Sequence, residues 1–327
     1  MVFQSLADKI LSQSPFLSYG KLGYVGRKGF WDESLTLENK TIVITGATSG
    51  IGKAAAIQMS KLGANIILIG RNQKKLESTV EIIQELSPNN KSGVEFFVAD
   101  LSEPSACIAV ADKVSKAHPK IDGLINNAGA MFKLRKVNSK GQEITFSTNV
   151  LSGFILTNKL LPNLEKSESG RIVHVSSGGM YLHRLEPDDL NFERRPYKDL
   201  ASYAQSKRCQ VILNELWAQK LNSNNSRVRT DCMHPGWVET PGLEDSMPKF
   251  SLYLNPILRN PDEGADTIVW LCATKNNQSP NGSFWLDRKP RETHISKKTH
   301  NTAPEREALW HYCVDQTGID FPVLKNI

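Results

Sequence analysis

Short runs of apolar residues alternate with longer amphipathic stretches from Lys40 onward. Uninterrupted Val, Ile and Leu in such runs indicate strands that are buried on both faces of a sheet. The runs predict strands at residues 41–45, 65–69, 94–99, 123–126 and 171–176, with later candidates at 228–233 and 282–285. Helices are predicted between the early strands, at about residues 50–62, 73–86 and 102–117. This alternation is typical of βαβ units, whose strands run parallel.

The order of these elements predicts one α/β domain with additions at both ends. With right-handed crossovers, the units form a Rossmann-type doubly wound parallel sheet. The 327 residues are near the upper size for one such domain. We assign residues 37–290 to this Rossmann-type domain, residues 1–36 to an N-terminal extension, and residues 291–327 to a C-terminal tail packed on the domain. The extension has no regular period, although one helix face could hold Phe3, Leu6, Ile10 and Leu11.

Charge and cysteine content narrow the class of protein. The net charge is +6, but Lys and Arg are spread along the chain without a dense block, so we predict no nucleic-acid partner. The 5 cysteines are widely spaced, which favours free thiols over a metal site or a disulfide framework. No apolar run reaches the ~18 residues that span a bilayer, and no secretory signal is evident, so we expect a cytoplasmic protein. Membrane contact through the extension stays open but unsupported, because an apolar helix face more often docks on its own protein.

A glycine-rich turn, Thr45-Gly-Ala-Thr-Ser-Gly-Ile-Gly52, joins the first predicted strand to the first predicted helix. Gly46 allows a tight turn, Gly50 a close approach of a phosphate, and Gly52 close packing of the helix on the strand. The helix N-terminus offers free N–H groups and a partial positive charge to a pyrophosphate. We therefore predict a dinucleotide site with contacts at Gly46, Thr48, Ser49, Gly50, Ile51 and Gly52.

The residues that follow the second predicted strand bear on the choice of cofactor. An NAD enzyme usually has a carboxylate there, which bonds the ribose 2′-OH and repels a 2′-phosphate. This chain has Gly70 at that position, followed by Arg71, whose planar guanidinium suits a phosphate. We predict NADP(H) as the cofactor; the alternative is that Arg71 is only a surface charge at a strand end.

Tyr203 and Lys207 are four residues apart and so share one face of a predicted helix. A phenol with a free pKa of ~10 exchanges protons poorly at neutral pH, and a nearby ammonium lowers that pKa. Tyr203 is therefore the candidate general acid/base, with Lys207 as the cation that tunes it. Ser176 and Ser177 end the fifth predicted strand, and either hydroxyl could hold a substrate oxygen.

The glycine-rich turn, Asn126-Asn127-Ala128-Gly129, the Tyr203/Lys207 pair and His234-Pro235-Gly236 together resemble the short-chain dehydrogenase/reductase (SDR) family over about residues 40–285. The resemblance implies an oxidoreductase for small carbonyl or alcohol substrates that needs no metal. It implies Ser177 as the catalytic serine, with Ser176 as the runner-up. It also implies that Lys207 bonds the nicotinamide ribose and that Asn149 holds a water that relays protons to Lys207.

The same resemblance implies further cofactor contacts. They are Asp100 and Leu101 near the adenine, Asn127, Ala128 and Gly129 beside the sheet, Tyr203 and Lys207 on the helix, and Pro235, Gly236, Val238 and Thr240 near the nicotinamide. His234 could also act as a catalyst, but a structural role is the expected one because the family already has its acid in Tyr203.

Residues 237–260 follow the Pro-Gly turn and are rich in Leu, Met, Phe and Tyr. In the SDR family this segment closes over the substrate, so its composition implies a lipophilic substrate. Two other functions stay open: a non-catalytic sensor that binds the cofactor, and a membrane-associated binding protein. The presence of Ser177, Tyr203 and Lys207 disfavours the sensor. A homo-oligomer also stays open.

Overall fold

The computed structural model describes Asp8, Leu11 and residues 14–31, 34–87, 93–275 and 277–324. Within these ranges an eight-stranded sheet has the order β3-β2-β1-β4-β5-β6-β7-β8. Its strands are β1 (Thr41–Thr45), β2 (Asn65–Gly70), β3 (Val94–Val98), β4 (Gly123–Asn126), β5 (Arg171–Val175), β6 (Arg229–Met233), β7 (Phe284–Leu286) and β8 (Lys289–Arg291). All neighbouring pairs are parallel except β7 and β8, which form an antiparallel hairpin. The predicted Rossmann-type parallel sheet is therefore confirmed, with an antiparallel edge strand added.

Helices cover both faces of this sheet. They are α1 (Pro15–Tyr19), α2 (Lys21–Lys28), α3 (Gly50–Lys61), α4 (Gln73–Leu86), α5 (Pro104–Ala117), α6 (Ile144–Phe146), α7 (Ser152–Leu164), α8 (Asp199–Ser223), α9 (Pro241–Ser246), α10 (Pro248–Leu254), α11 (Pro261–Ala273) and α12 (Ala303–Thr317). A π-helical turn, Ser147–Leu151, joins α6 to α7. A 3₁₀ turn, Gly178–Leu182, follows β5.

Alternate residues of the central strands enter two separate cores. Ile42 and Ile44 of β1 lie in the core that contains α3 and α11. Val43, between them, lies in the core on the opposite face, with α5 and α7. Successive side chains of a strand point to opposite faces, so β1 is apolar throughout because both of its faces are buried. The burial pattern explains why the strands read as continuous apolar runs in the sequence.

The N-terminal extension contains helices that the apolar pattern did not predict. In α2 the side chains of Tyr24 and Arg27 are buried. Gly23 is needed there because a Cβ at this position would lie 2.4 Å from the Leu17 carbonyl oxygen. Leu11, one residue of the predicted apolar face, lies close to Gly26. A Cβ at Gly26 would lie 2.9 Å from Leu11 Cδ1. Phe3, Leu6 and Ile10 lie outside the described residues. The domain boundaries stay a prediction.

Candidate active site

The turn between β1 and α3 has the backbone conformation that its glycines predict. Gly46 and Gly50 have positive φ angles of 66° and 52°. A Cβ at Gly52 would lie 2.3 Å from Asn127 Nδ2 and 2.5 Å from the Gly46 carbonyl oxygen. Gly52 is therefore required for close packing, and the other two for backbone conformations that L-residues rarely adopt.

The segment after β4 is hydrogen-bonded to this turn. Asn127 Nδ2 donates to the carbonyl oxygens of Thr45, at 2.9 Å, and Gly46, at 3.3 Å. The backbone N–H groups of Asn127 and Ala128 both donate to Thr45 Oγ1 at 3.0 Å. At the start of α3, the Ser49 side chain makes no capping hydrogen bond. The first N–H groups of α3 can thus be donated to an anion, as the predicted pyrophosphate contact requires.

Arg71 lies exposed just after β2, at the same edge of the sheet as the glycine-rich turn. A Cβ at Gly70 would lie 3.3 Å from Thr48 Cγ2, so the end of β2 lies against the glycine-rich turn. Beyond β3, Asp100 accepts hydrogen bonds from the backbone N–H and the hydroxyl of Ser102, while Leu101 is buried. The carboxyl ends of β1, β2 and β3 therefore bring together the predicted phosphate and adenine contacts.

Helix α8 holds the predicted catalytic pair. Lys207 is buried, and its Nζ lies 5.5 Å from the centroid of the Tyr203 ring. Lys207 Nζ also donates to the Val175 carbonyl oxygen at 2.9 Å. Burial disfavours the ammonium and lowers the pKa of Lys207 to about 8.

The pKa of Tyr203 shifts in the direction opposite to the one predicted. Burial raises it above its usual value of 10, while a hydrogen bond with the Ser177 hydroxyl acts against that rise. The charge of Lys207 can be read from the sequence, whereas the loss of hydration around the phenol depends on the folded structure. Tyr203 is thus protonated at neutral pH in this structure.

The two serines after β5 have different surroundings. Ser176 Oγ donates to the Lys207 carbonyl oxygen at 2.9 Å and is buried against α8. Ser177 Oγ accepts a hydrogen bond from the Gly179 N–H at 3.1 Å and bonds the Tyr203 phenol. Of the two candidates, Ser177 is the one that meets Tyr203.

Asn149 lies in the π-helical turn and is held from several sides. Its Oδ1 accepts from the Ala130 N–H at 2.8 Å, and its Nδ2 donates to the Ala130 carbonyl at 3.0 Å and to Ser206 Oγ at 2.9 Å. Its own carbonyl oxygen accepts from Gln210 Nε2 at 2.8 Å. A Cβ at Gly129 would lie 3.3 Å from Lys207 Nζ and 3.4 Å from Asn149 Oδ1, so these groups converge. Sequence reasoning missed Gln210, although it lies one helical turn beyond Lys207.

The Pro-Gly turn after β6 approaches the glycine-rich turn from the other side. A Cβ at Gly50 would lie 3.0 Å from Thr240 Cγ2. The Thr240 hydroxyl accepts from the Leu243 N–H and caps α9. Gly236 has a φ of 84°. The Pro235 carbonyl oxygen accepts a hydrogen bond from Arg259. Val238 is buried and pairs with Arg259 in a parallel bridge.

His234 is buried beneath this turn. Burial lowers its pKa to about 3, so the ring is neutral at physiological pH. Its Nδ1 accepts from the Gly236 N–H at 3.3 Å, and the Tyr19 ring packs edge-on against it. These contacts agree with the structural role expected for His234.

Other features bear on the class of site. The cysteines are all free thiols. Across the described ranges, no cluster of three or more His, Cys, Asp or Glu side chains could hold a metal ion. None of the helices in the described part of the chain is long and apolar enough to cross a bilayer.

Comparison with known proteins identifies the class. Residues 40–249 match the family described as short chain dehydrogenase, so the chain belongs to the short-chain dehydrogenase/reductase family and the predicted resemblance is confirmed. It is 37% identical to human dehydrogenase/reductase SDR family member 12 over 294 residues, covering 88% of this chain and 90% of that protein. Human polyprenol dehydrogenase is 30% identical over 289 residues, covering 86% of each chain. A short chain dehydrogenase structure from Shigella flexneri, complexed with NADP, has a TM-score of 0.62 at 26% identity and covers 79% of this chain and 100% of its own. The family is one of oxidoreductases that act on alcohol or carbonyl groups of small molecules.

Proposed function

We propose that this protein is an NADP(H)-dependent oxidoreductase that transfers hydride between the nicotinamide and a carbonyl or alcohol substrate. Tyr203 is the general acid/base, Ser177 binds the substrate oxygen, and Lys207 and Asn149 support Tyr203. The observation that carries the proposal is the meeting of Ser177, Tyr203 and Lys207 beside the Gly46–Gly52 turn.

The residues around the turn fit a dinucleotide. The uncapped start of α3 suits the pyrophosphate, and the positive φ angles of Gly46 and Gly50 let the backbone approach it. Gly129 leaves open the space in front of Lys207 Nζ, where a ribose hydroxyl would accept a hydrogen bond. A bound nicotinamide would supply or accept the hydride.

The chain's own residues move and hold the proton. Because the pKa of Tyr203 is raised, the phenol keeps its proton at neutral pH and can donate it to a carbonyl oxygen as that oxygen gains charge. The Ser177 hydroxyl, already bonded to the phenol, is positioned to bond the same oxygen. The Lys207 ammonium then stabilises the phenolate that is left. This direction, carbonyl reduction, suits the protonated state of Tyr203.

Exposed apolar side chains support a lipophilic substrate. In α10 the side chains of Leu252 and Tyr253 are 72% and 78% exposed, so these two side chains of the predicted lid are not packed on the domain. An open cavity of about 520 Å³ lies beside α8 and is lined in part by Leu182, Tyr197 and Leu200. Tyr203 is not in its wall, but the adjacent Ala204 is. Polyprenol and retinol dehydrogenases among the relatives bear names of lipid substrates.

The proposal is tested by following NADPH oxidation with the full chain and a panel of carbonyl compounds. Pairs of aldehydes and ketones that differ only in chain length separate lipophilic from small polar substrates. We expect kcat/KM to rise with chain length, by about threefold to fourfold for each buried methylene, the equivalent of ~0.8 kcal/mol. Better kinetics for the small polar members throughout would contradict a lipophilic substrate, and no turnover with any carbonyl would contradict the reaction itself.

A further inference from the structure

Tyr19, the last residue of α1, contacts both loops of the candidate active site. Its ring lies edge-on to His234, with the centroids 4.5 Å apart, and to Trp237, with the centroids 5.8 Å apart. A Cβ at Gly178, next to Ser177, would lie 3.1 Å from Tyr19 Cε2 and 3.0 Å from His234 Nε2. The Tyr19 ring therefore fills the space between the serine loop and the Pro-Gly turn.

The backbone around Tyr19 is bonded to the same turn. The Tyr19 carbonyl accepts from the Trp237 N–H at 2.8 Å. Arg259, which is 1% exposed, donates from Nη2 to the Ser18 carbonyl at 3.0 Å and from Nε to the Gly20 carbonyl at 3.2 Å. The carbonyl oxygens of residues 18–20 thus all accept hydrogen bonds from Trp237 or Arg259.

Trp237 and Arg259 are the two ends of the lid that holds α9 and α10. The Arg259 N–H donates to the Trp237 carbonyl at 2.7 Å, and the Glu239 N–H donates to the Arg259 carbonyl at 2.9 Å, so the lid ends are joined. Within the lid, Phe250 packs on the Trp237 ring, with the centroids 5.4 Å apart. Contacts therefore run without a gap from Tyr19 through Trp237 into α10.

We infer that Tyr19 is a positioning residue for the proposed reaction. Its ring fixes the distance between the loop that carries Ser177 and the hinge of the lid, and so the N-terminal extension is a working part of the active site. The inference rests on the proposed function. A misplacement of about 1 Å can cost ~10²-fold in rate, so loss of the ring is expected to act on turnover without any contact between Tyr19 and substrate.

The test compares Tyr19→Ala with Tyr19→Phe in the full chain. Tyr19→Phe keeps the ring contacts with His234 and Trp237 and should stay within about twofold of wild type in kcat/KM. Tyr19→Ala should lose about tenfold to a hundredfold in kcat/KM, the scale expected for misplaced groups. The value is normalised to the concentration of protein that binds cofactor, so that misfolded protein does not contribute to the loss. Leu22→Ala, in the exposed part of the same extension, is the control and should match wild type.

Amide hydrogen exchange separates this inference from the proposed reaction. In Tyr19→Ala, amides of Gly178–Leu182 and of residues 237–239 should exchange faster than in wild type, while amides of β1 and β2 keep their rates. Tyr19→Phe should exchange like wild type at both segments. Unchanged exchange at the two segments in Tyr19→Ala, or unchanged kcat/KM, would overturn the inference. Absence of wild-type turnover alongside faster exchange would instead reject the proposed function and keep Tyr19 as the residue that positions the two loops.

Discussion

We expect Lys207 to make the cofactor affinity depend on pH, because burial lowers its pKa to about 8. If a ribose hydroxyl accepts a bond from the ammonium, binding raises this pKa and takes up a proton above pH 8. The affinity for NADPH is then at its maximum below pH 8 and falls as the pH rises above 8. We expect the NADPH dissociation constant to be flat near about pH 7 and to rise by up to about tenfold for each pH unit above 8. Fluorescence titration measures it.

Lys207→Met is the control for that titration, since it has no group to titrate. Its dissociation constant should be higher than that of wild type and should not change across the same range. The same rise above pH 8 in Lys207→Met would show that another group is responsible.

Arg71 is the residue expected to distinguish NADPH from NADH. It is exposed at the end of β2, where no carboxylate stands to repel a 2′-phosphate. A charge-assisted bond of roughly 1.5–3 kcal/mol corresponds to about one to two decades of affinity. Arg71→Ala should therefore raise the NADPH dissociation constant by that amount and leave NADH nearly unchanged, as measured by isothermal titration.

Lys74→Ala, another exposed cation near the start of α4, controls for general loss of charge and should have a small effect on both cofactors. Equal affinities of the wild type for NADPH and NADH would show that Arg71 does not bind the phosphate. So would an Arg71→Ala variant that still discriminates fully.

Local spacing made some residues of the site predictable, and distance in the chain hid others. Tyr203 and Lys207 could be paired because four residues make one helical turn. Tyr19 is separated from His234 by more than two hundred residues, and no local pattern relates them. The direction of the Tyr203 pKa was missed for a similar reason, because burial depends on the whole fold.

At the scale of elements, the strands were predictable and several helices were not. The central strands are apolar on both faces, so each stands out in the sequence. Helix α12 carries readable signals that the apolar pattern overlooked: a capping box of Thr302 and Glu305, and Gly318 in a left-handed conformation after its end. Strand β8 contains Lys289, Pro290 and Arg291, a composition typical of an edge rather than of a core strand.

The junction of β1 and α3 can be tested at Gly52. A Cβ at Gly52 would lie 2.3 Å from Asn127 Nδ2, the atom whose hydrogen bonds join the segment after β4 to the glycine-rich turn. Gly52→Ala should lower the free energy of unfolding by about 1–3 kcal/mol, the usual cost of overpacking. It should also weaken NADPH binding, because Asn127 must shift. Urea denaturation and fluorescence titration measure the two effects.

Gly29→Ala is the matched control, since a Cβ at Gly29 meets no atom within 4 Å and its φ is −59°. Its free energy of unfolding should stay within about 0.5 kcal/mol of wild type. A Gly52→Ala protein as stable as Gly29→Ala would contradict the packing described for the turn.

At the scale of the whole molecule, a buried ion cluster ties the N-terminal extension to the C-terminal hairpin. Asp287 is 1% exposed and accepts from Arg259 at 2.6 and 2.9 Å and from Arg27 at 2.6 Å. Removing one partner of a buried pair leaves an uncompensated charge and typically costs about 3–5 kcal/mol. Asp287→Asn should cost that much in urea denaturation; Asn also tolerates the positive φ of 54° at this position.

Asp112→Asn, which removes the exposed partner of an ion pair with the half-buried Lys159, is the comparison and should cost about 0–1 kcal/mol. Equal losses in the two variants would show that the Asp287 cluster does not hold the extension in place.

The proposed mechanism depends on Tyr203 as the group that transfers the proton. The most direct measurement is turnover and NADPH affinity of Tyr203→Phe side by side, with Tyr312→Phe on α12 as a control that keeps wild-type values. Tyr203→Phe should lose ~10²-fold or more in turnover, the scale of a missing general acid, while its NADPH dissociation constant stays within about twofold. A Tyr203→Phe enzyme with wild-type turnover would contradict the proposed mechanism.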